Sequence, residues 1–302
     1  MNAMEVITTK APTIDRLLLG DNQFFGVNHM SEEKARTQAM RFQDLSAIIE
    51  VLDAAYEEGV RTFMCTTHER IALVADHFRA NPDRYPGMTF FPCMPYAHKY
   101  ANAMTEDGIV GAVRRFLPDG GLLDSALRGG RSLATRDIAG IITLLIDAEM
   151  KMFHDLSTPV IFLQNVVVDL LLGLGFDEAF EIFAHHVRTR YGAEPGFITM
   201  NLPLLLDALD RVGVDNPVVC ASMNKLEFRM SGGADAYRKA LTERRFRPIA
   251  MSVLASGALP PREALEWACA LPNLEAIVFG ASSRRNIRST REIVDELWPA
   301  TS

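Results

Sequence analysis

The chain has few cysteines and no closely spaced pair of them. Four occur in 302 residues, without any Cys-x-x-Cys spacing: Cys65, Cys93, Cys220 and Cys269. Three of the four lie inside apolar, strand-like runs, which is typical of buried reduced thiols. A disulfide framework is therefore not expected.

The sequence also lacks any run of Lys or Arg. The formal net charge is −7 and the isoelectric point is near 5.6, which argues against a nucleic-acid partner. Residues 1–15 contain no basic segment followed by an apolar run, so no secretory signal is expected. The most apolar stretch, residues 160–176, contains Gln164, Asn165 and Asp169 and predicts a buried strand and turn rather than a membrane span. We expect a cytoplasmic protein whose partner is a small molecule.

Short apolar or β-branched runs alternate with longer segments of helical period, the pattern of parallel strands covered by helices. Eight such units can be counted, so the chain is predicted to be one (β/α)8 TIM barrel over residues 1–302. A doubly wound sheet is disfavoured because residues 20–26 do not contain the expected Gly-x-Gly-x-x-Gly turn. The predicted strands cover residues 16–20, 60–66, 88–94, 160–165, 196–201, 217–223, 248–254 and 274–279.

One connection is unusually long. A helix near residues 105–116 follows the third strand, and residues 118–156 then form an insertion with a glycine-rich segment and a helix at 136–153. Long loops in compact domains are usually functional, so the insertion is a candidate lid. Packing at the edge of the barrel is the alternative interpretation.

Several segments resemble the aldo/keto reductases. The stretch from Met251 to Gly257 is similar to that family's conserved run at the seventh strand, and shorter similarities lie at residues 51–63, 198–201, 224–228 and 278–283. The resemblance implies a (β/α)8 barrel with its active site at the carboxyl ends of the strands, and it makes NAD(P) the candidate cofactor.

The residues that perform hydride transfer in that family do not line up. Cys65 stands where the family has its Asp, no Tyr occurs between His68 and His77, the third strand ends without the Lys, and Gln164-Asn165 replaces the His. We therefore expect a non-redox lyase, isomerase or aldol-type reaction on a small polar carbonyl-bearing or phosphorylated metabolite. A divergent NAD(P)-dependent oxidoreductase and a non-catalytic ligand-binding barrel are the alternatives.

The cofactor side of the resemblance is mixed. Asn201 and Ser252 match residues that hold the nicotinamide amide and the pyrophosphate, whereas Met251 replaces the stacking Tyr. Ser282, Ser283 and Arg284, with Arg285 beside them, precede a predicted helix, and this arrangement indicates phosphate or carboxylate binding. A solvated basic turn is the alternative.

Four polar residues near strand ends are candidates for catalysis. Lys225 can form a Schiff base if it is desolvated, or it is an ordinary loop lysine. Asp21 is an acid at the mouth or closes an Asx turn. His68 is a general base or a helix cap. Cys65, at the family's Asp position, completes the set.

A metal site is a weaker possibility. His29, His68 and His98, with Asp21 and Glu69, offer nitrogen and oxygen ligands that zinc or manganese accepts. No His-x-His or His-x-x-x-His spacing supports such a site, so a divalent metal is less expected than NAD(P).

Overall fold

The computed structural model describes residues 12–26, 32–96 and 131–298. In this part of the chain, eight parallel strands close into a barrel in sequence order, which confirms the predicted (β/α)8 fold. The strands are β1 (Leu17–Gly20), β2 (Thr62–Thr66), β3 (Thr89–Met94), β4 (Val160–Leu163), β5 (Glu194–Thr199), β6 (Val218–Ser222), β7 (Arg247–Met251) and β8 (Ala276–Phe279).

The barrel closes where its first and last strands meet. Leu18 of β1 lies opposite Thr62 of β2 on one side and Val278 of β8 on the other. The strands that form this single sheet extend along the chain from Leu17 to Phe279. All their carboxyl ends therefore converge on one mouth, where barrel enzymes place their chemistry.

Helices surround the barrel. In chain order they are α1 (Glu32–Arg41), α2 (Leu45–Glu57), α3 (Glu69–Ala80), α4 (Arg131–Met150), α5 (Asn165–Leu174), α6 (Glu178–Tyr191), α7 (Leu202–Arg211), α8 (Gly233–Glu243), α9 (Pro261–Cys269) and α10 (Arg284–Leu297).

Two of these helices differ from the sequence prediction. Helix α1 lies in the segment predicted as a loop, and α5 occupies most of the stretch predicted as a strand and turn. Helix α5 begins directly after β4 and ends at Gly175, which adopts the left-handed conformation with φ 65°. The β-branched valines of α5 favour strand structure locally. In the barrel, however, only Val160–Leu163 form the strand β4, and the chain continues as a helix after it.

The core has two layers. One cluster fills the barrel interior and contains Leu18, Met64 and Phe162, while a larger cluster lies between the strands and the helices and contains Phe63 and Cys65. Gly196 makes room for the interior, since a Cβ there would lie 2.5 Å from the Phe162 ring. Successive residues of β2 thus alternate between the two layers.

The predicted insertion is described only in part. Helix α4 precedes β4 and begins earlier than predicted, whereas the helix expected near 105–116 and the glycine-rich connection lie outside the described residues. The lid role of residues 118–156 stays a prediction. Among the helices that can be described, none is both long and apolar enough to cross a membrane.

Candidate active site

Asp21 lies at the mouth, directly after β1, and is almost fully buried. Its Oδ2 accepts hydrogen bonds from the Thr66 backbone N and from Thr66 Oγ1, both at 2.7 Å. Burial raises the pKa of Asp21 from 3.8 to about 6, although the two bonds from Thr66 oppose that rise. Its side chain does not cap the short helix that follows, although a hydrogen bond from its own backbone N–H also lowers its pKa, so the Asx-turn alternative stays open.

His68 follows β2 and caps helix α3. Its Nδ1 accepts a hydrogen bond of 3.0 Å from the Arg70 backbone N, so the cap interpretation is confirmed. That bond makes Nε2 the protonated nitrogen of the neutral ring. The ring also packs against Phe25, with 4.4 Å between centroids, and meets Tyr96 edge to face at 5.8 Å. His68 is therefore both a cap and part of the mouth.

Tyr96 is the residue that the sequence interpretation missed. It comes two residues after β3, and its backbone N donates to the carboxylate of Glu149. Burial raises the pKa of the Tyr96 phenol, the charge of Asp21 raises it further, and the charge of Arg70 lowers it. These electrostatic effects and the ring contact place Tyr96 with Asp21 and His68. Its position at a strand end was the available signal, but the family's Tyr was sought after the second strand.

Arg70 supplies the positive charge of this group. Its Nη1 donates to the backbone O of Phe24 at 3.1 Å and of Phe42 at 2.5 Å, and its guanidinium lies 4.8 Å from the centre of the Phe25 ring. The two carbonyl oxygens hold the guanidinium group of Arg70 beside the Phe25 ring. We call Asp21, Thr66, His68, Arg70 and Tyr96 the acid–base cluster.

Lys225 does not belong to this cluster. Half of its side chain is exposed, and its Nζ forms an ion pair of 2.7 Å with Glu263 on α9. The preceding Asn224 is fully buried and bonds the backbone N and O of Phe228, which shapes the loop. The described surroundings of Lys225 do not support the Schiff-base role, which stays a prediction, because half of the side chain is exposed and its ammonium group is ion-paired.

Cys65 does not face the barrel interior, although the charge of Asp21 acts on it. It is fully buried in the layer between strands and helices, on the opposite face of β2 from Met64. Burial raises the pKa of its thiol well above the ordinary value. A buried thiol of this kind is neutral and unreactive, so its setting favours packing over the predicted catalytic role.

The residues predicted to hold a cofactor lie at the ends of β5, β7 and β8. Asn201 caps α7 through Oδ1, which accepts from the Leu204 backbone N at 3.3 Å. Ser283 caps α10 through Oγ, and Ser282 beside it is half-buried. Ser252 follows β7 with φ 56°, in the left-handed region. Three further left-handed residues, 255–257, follow in the same loop, where the Ala255 and Gly257 backbone N–H groups donate to Ser252 O and Leu254 O, both at 2.8 Å.

Arg284 is directed elsewhere. Its guanidinium pairs with Glu57 and, at 3.5 Å, with Glu58 at the end of α2. Arg288 pairs with the same Glu58 at 2.7 Å. The prediction that Arg284 binds a phosphate is therefore not supported, because its charge is already neutralised by two carboxylates.

The seam between β1 and β8 provides a test of whether a nucleotide fits. Gln23 Nε2 donates to Gly20 O at 2.7 Å, while its buried Oε1 has no hydrogen-bond partner among the described residues. A Cβ at Gly280 would lie 2.8 Å from that Oε1. A buried acceptor left in this way fits a ligand that brings a hydroxyl or amide hydrogen, as a nicotinamide nucleotide does.

The described residues give little support to the predicted metal site. His29 and His98 lie outside the described residues, so the set of three histidines remains a prediction. Within residues 12–26, 32–96 and 131–298, no group of three or more His, Cys, Asp or Glu side chains is arranged to hold a metal ion.

No protein-family model matches the chain, and no curated protein matches it significantly. Solved structures do. A Pseudomonas aeruginosa protein named for the aldo-keto reductases is 13% identical, with a TM-score of 0.56 over 94% of this chain and 91% of that one. Aldose reductase from Giardia lamblia is 10% identical, with a TM-score of 0.54 over 94% and 88%. A thermostable aldo-keto reductase in complex with epalrestat is 14% identical, with a TM-score of 0.55 over 93% and 90%.

These similarities confirm the expected fold, an aldo-keto-reductase-like barrel. They also correct the expected reaction. The similar structures carry reductase names, and another, with a TM-score of 0.53 at 9% identity, is a point mutant in complex with NADPH. The expectation of a non-redox lyase, isomerase or aldol-type reaction, which was drawn from the missing hydride-transfer residues, is therefore wrong.

Proposed function

We propose that the chain is a divergent NAD(P)-dependent oxidoreductase that reduces the carbonyl group of a small polar metabolite to an alcohol. One observation carries the proposal: Asp21, His68 and Tyr96 meet at the mouth of a reductase-like barrel, although the family's own tetrad is missing. The acid–base cluster thus offers a proton donor in a new arrangement, with the carboxylate after β1 and the phenol after β3.

Tyr96 is the proposed proton donor. Because burial and Asp21 both raise its pKa, the phenol keeps its proton at neutral pH, and Arg70 limits the rise. When bound, reduced NAD(P) supplies the hydride that joins the carbonyl carbon. The phenol of Tyr96 gives its proton to the carbonyl oxygen, and the protonated Nε2 of His68 orients that oxygen. One hydride and one proton convert the carbonyl to the alcohol.

The cofactor is proposed to bind along β5, β7 and β8. Ser252, Ser282 and Ser283, with the amides at the start of α10, would hold its phosphates. Asn201 would contact the carboxamide through Nδ2, since Oδ1 caps α7. Arg284 has no role in this arrangement because Glu57 and Glu58 hold it.

The substrate is proposed to be small and polar and to lie against the contacting rings of Phe25, His68 and Tyr96. An aromatic wall with a few polar groups is the usual composition of a small-molecule site. A cytoplasmic location stays a prediction from the sequence.

The test combines cofactor binding with turnover. NADPH and NADH are titrated into the protein by fluorescence, and cofactor oxidation is then followed with a panel of small aldehydes, ketones and sugars. We expect micromolar binding of one cofactor and turnover that falls at least ~100-fold in Tyr96→Phe, the contribution typical of a general acid. Tyr56→Phe, which removes a hydrogen bond to Pro86 O far from the mouth, is the matched control.

Absence of binding at millimolar cofactor would refute the proposal. Binding of a cofactor without turnover of any carbonyl would favour the ligand-binding barrel instead.

A further inference from the structure

Glu149 is a buried carboxylate that the proposed reaction does not use. It lies one residue before the end of α4, and only 3% of its surface is exposed. Its Oε2 accepts a hydrogen bond of 2.5 Å from Thr67 Oγ1 and one of 3.1 Å from the Tyr96 backbone N. One carboxylate therefore joins the chain after β2 to the chain after β3.

Among the described residues, the two hydrogen-bond partners of Glu149 adjoin the acid–base cluster. Thr67 is fully buried and lies between Thr66, which bonds Asp21, and His68, which packs against Tyr96. The second partner is the backbone of Tyr96 itself. Because both bonds go to segments rather than to a reacting atom, Glu149 acts on where the His68 and Tyr96 side chains sit.

The choice of Glu is informative. Burying a carboxylate is costly unless donors surround it, and an apolar residue would pack α4 against the barrel at lower cost. Two donors converge on Oε2, which a carboxylate oxygen can accept together. Gln offers one acceptor oxygen, and its NH2 group would face a donor.

Helix α4 is held from its other face as well. Asp147, two residues earlier, accepts hydrogen bonds from Tyr191 Oη at 2.5 Å and pairs with His186 Nε2 at 2.7 Å, both on α6. Asp147 fixes the helix to its neighbour at the outer surface, whereas Glu149 fixes the mouth to the helix. Asp147 therefore anchors α4 to α6, whereas Glu149 holds the segments that carry the acid–base cluster.

We propose that Glu149 is a positioning residue that holds Tyr96 and His68 in register at the ends of β3 and β2. The catalytic part of this inference rests on the proposed function, whereas the hydrogen bonds of Glu149 do not depend on it. Loss of the Glu149 bonds would let the Tyr96 segment move away from Asp21 and out of its buried setting.

The test compares Glu149→Gln with Asp147→Asn, a matched change on the same helix. Both proteins carry fluorotyrosine, whose lower intrinsic pKa brings the titration into the stable pH range, and Tyr96→Phe identifies the signal. We expect the pKa of Tyr96 to fall in Glu149→Gln and to stay at the wild-type value in Asp147→Asn. We also expect kcat to fall between about tenfold and a hundredfold in Glu149→Gln only, as for a displaced catalytic group, with cofactor affinity unchanged.

An unchanged Tyr96 pKa and kcat in folded Glu149→Gln would overturn the inference, as would equal effects in both variants. If Glu149→Gln does not fold, Thr67→Val removes one of the two bonds and keeps the carboxylate. It should show the same shift in reduced size, and the wild-type titration in it would overturn the inference.

The two proposals fail in different ways. If wild-type protein reduces no carbonyl while the Tyr96 pKa falls in Glu149→Gln, the positioning role stands and the proposed function fails. If wild-type protein is an active reductase and Glu149→Gln is unchanged in both measurements, only the positioning role fails.

Discussion

The two sides of the barrel mouth use their polar side chains differently. On the side of β1 to β3, Asp21 is buried and bonded across strands, and His68 and Tyr96 pack against each other. On the side of β6 to β8, Lys225 and Arg284 are exposed and paired with glutamates. Strand-end charge is therefore desolvated on the β1–β3 side and ion-paired in solvent on the β6–β8 side, and this difference is why the proposed chemistry is assigned to the β1–β3 side.

After Tyr96→Phe, the largest effect that tests this comparison is expected from a change at His68. His68→Ala should lower kcat/KM about 100-fold, because the variant loses both the Nε2 donor and the ring beside Tyr96. Loss of the α3 cap should also cost about 1 kcal/mol of stability. Steady-state kinetics and urea unfolding measure the two effects. His154→Ala, at an exposed histidine with a local contact to Lys151 O, should change neither.

Asp21 should make stability depend on pH. Its pKa is about 6 in the folded protein and 3.8 when unperturbed, so the unfolded chain ionises first as pH rises. Wild-type protein should therefore lose about 2 kcal/mol between pH 4 and pH 7 relative to Asp21→Asn, which has no charge to bury. Denaturant unfolding of both proteins at the two pH values measures this difference.

The exposed Asp76, which pairs with Arg79, provides the control for that measurement. Asp76→Asn should leave the pH dependence of stability as in the wild type. Parallel pH curves for wild type and Asp21→Asn would contradict the account of the β1–β3 side.

The smallest effect is expected at Arg284. Because its guanidinium is held by Glu57 and Glu58, Arg284→Ala should change cofactor affinity less than about twofold and stability by at most about 1 kcal/mol. Ser283→Ala, which removes a hydroxyl at the start of α10, should weaken cofactor binding more. Fluorescence titration measures the cofactor affinity of both variants. A larger loss of affinity in Arg284→Ala than in Ser283→Ala would support phosphate binding by Arg284.

The sequence was sufficient for the barrel because its eight strands are short apolar runs separated by helical periods. The ends of the strands then identified Asp21 and His68, since a residue directly after a parallel strand must lie at the mouth. Alternation along β2 also separates Cys65 from Met64, and it was a usable signal that Cys65 faces the helices.

The rest depended on contacts between distant parts of the chain. Arg284 pairs with Glu57, 227 residues away, and Lys225 pairs with Glu263, 38 residues away. No local pattern encodes these partners, so exposure and charge neutralisation could not be predicted. Tyr96 was missed for a different reason: the resemblance directed attention to the segment after β2, whereas this chain places its phenol after β3.

The most direct test compares single-turnover cofactor oxidation in Tyr96→Phe and Lys225→Met with the same carbonyl substrate. The account predicts that Tyr96→Phe is at least ~100-fold slower with unchanged cofactor affinity, while Lys225→Met matches the wild type. A slow Lys225→Met protein together with a normal Tyr96→Phe protein would place the chemistry on the β6–β8 side and contradict the account.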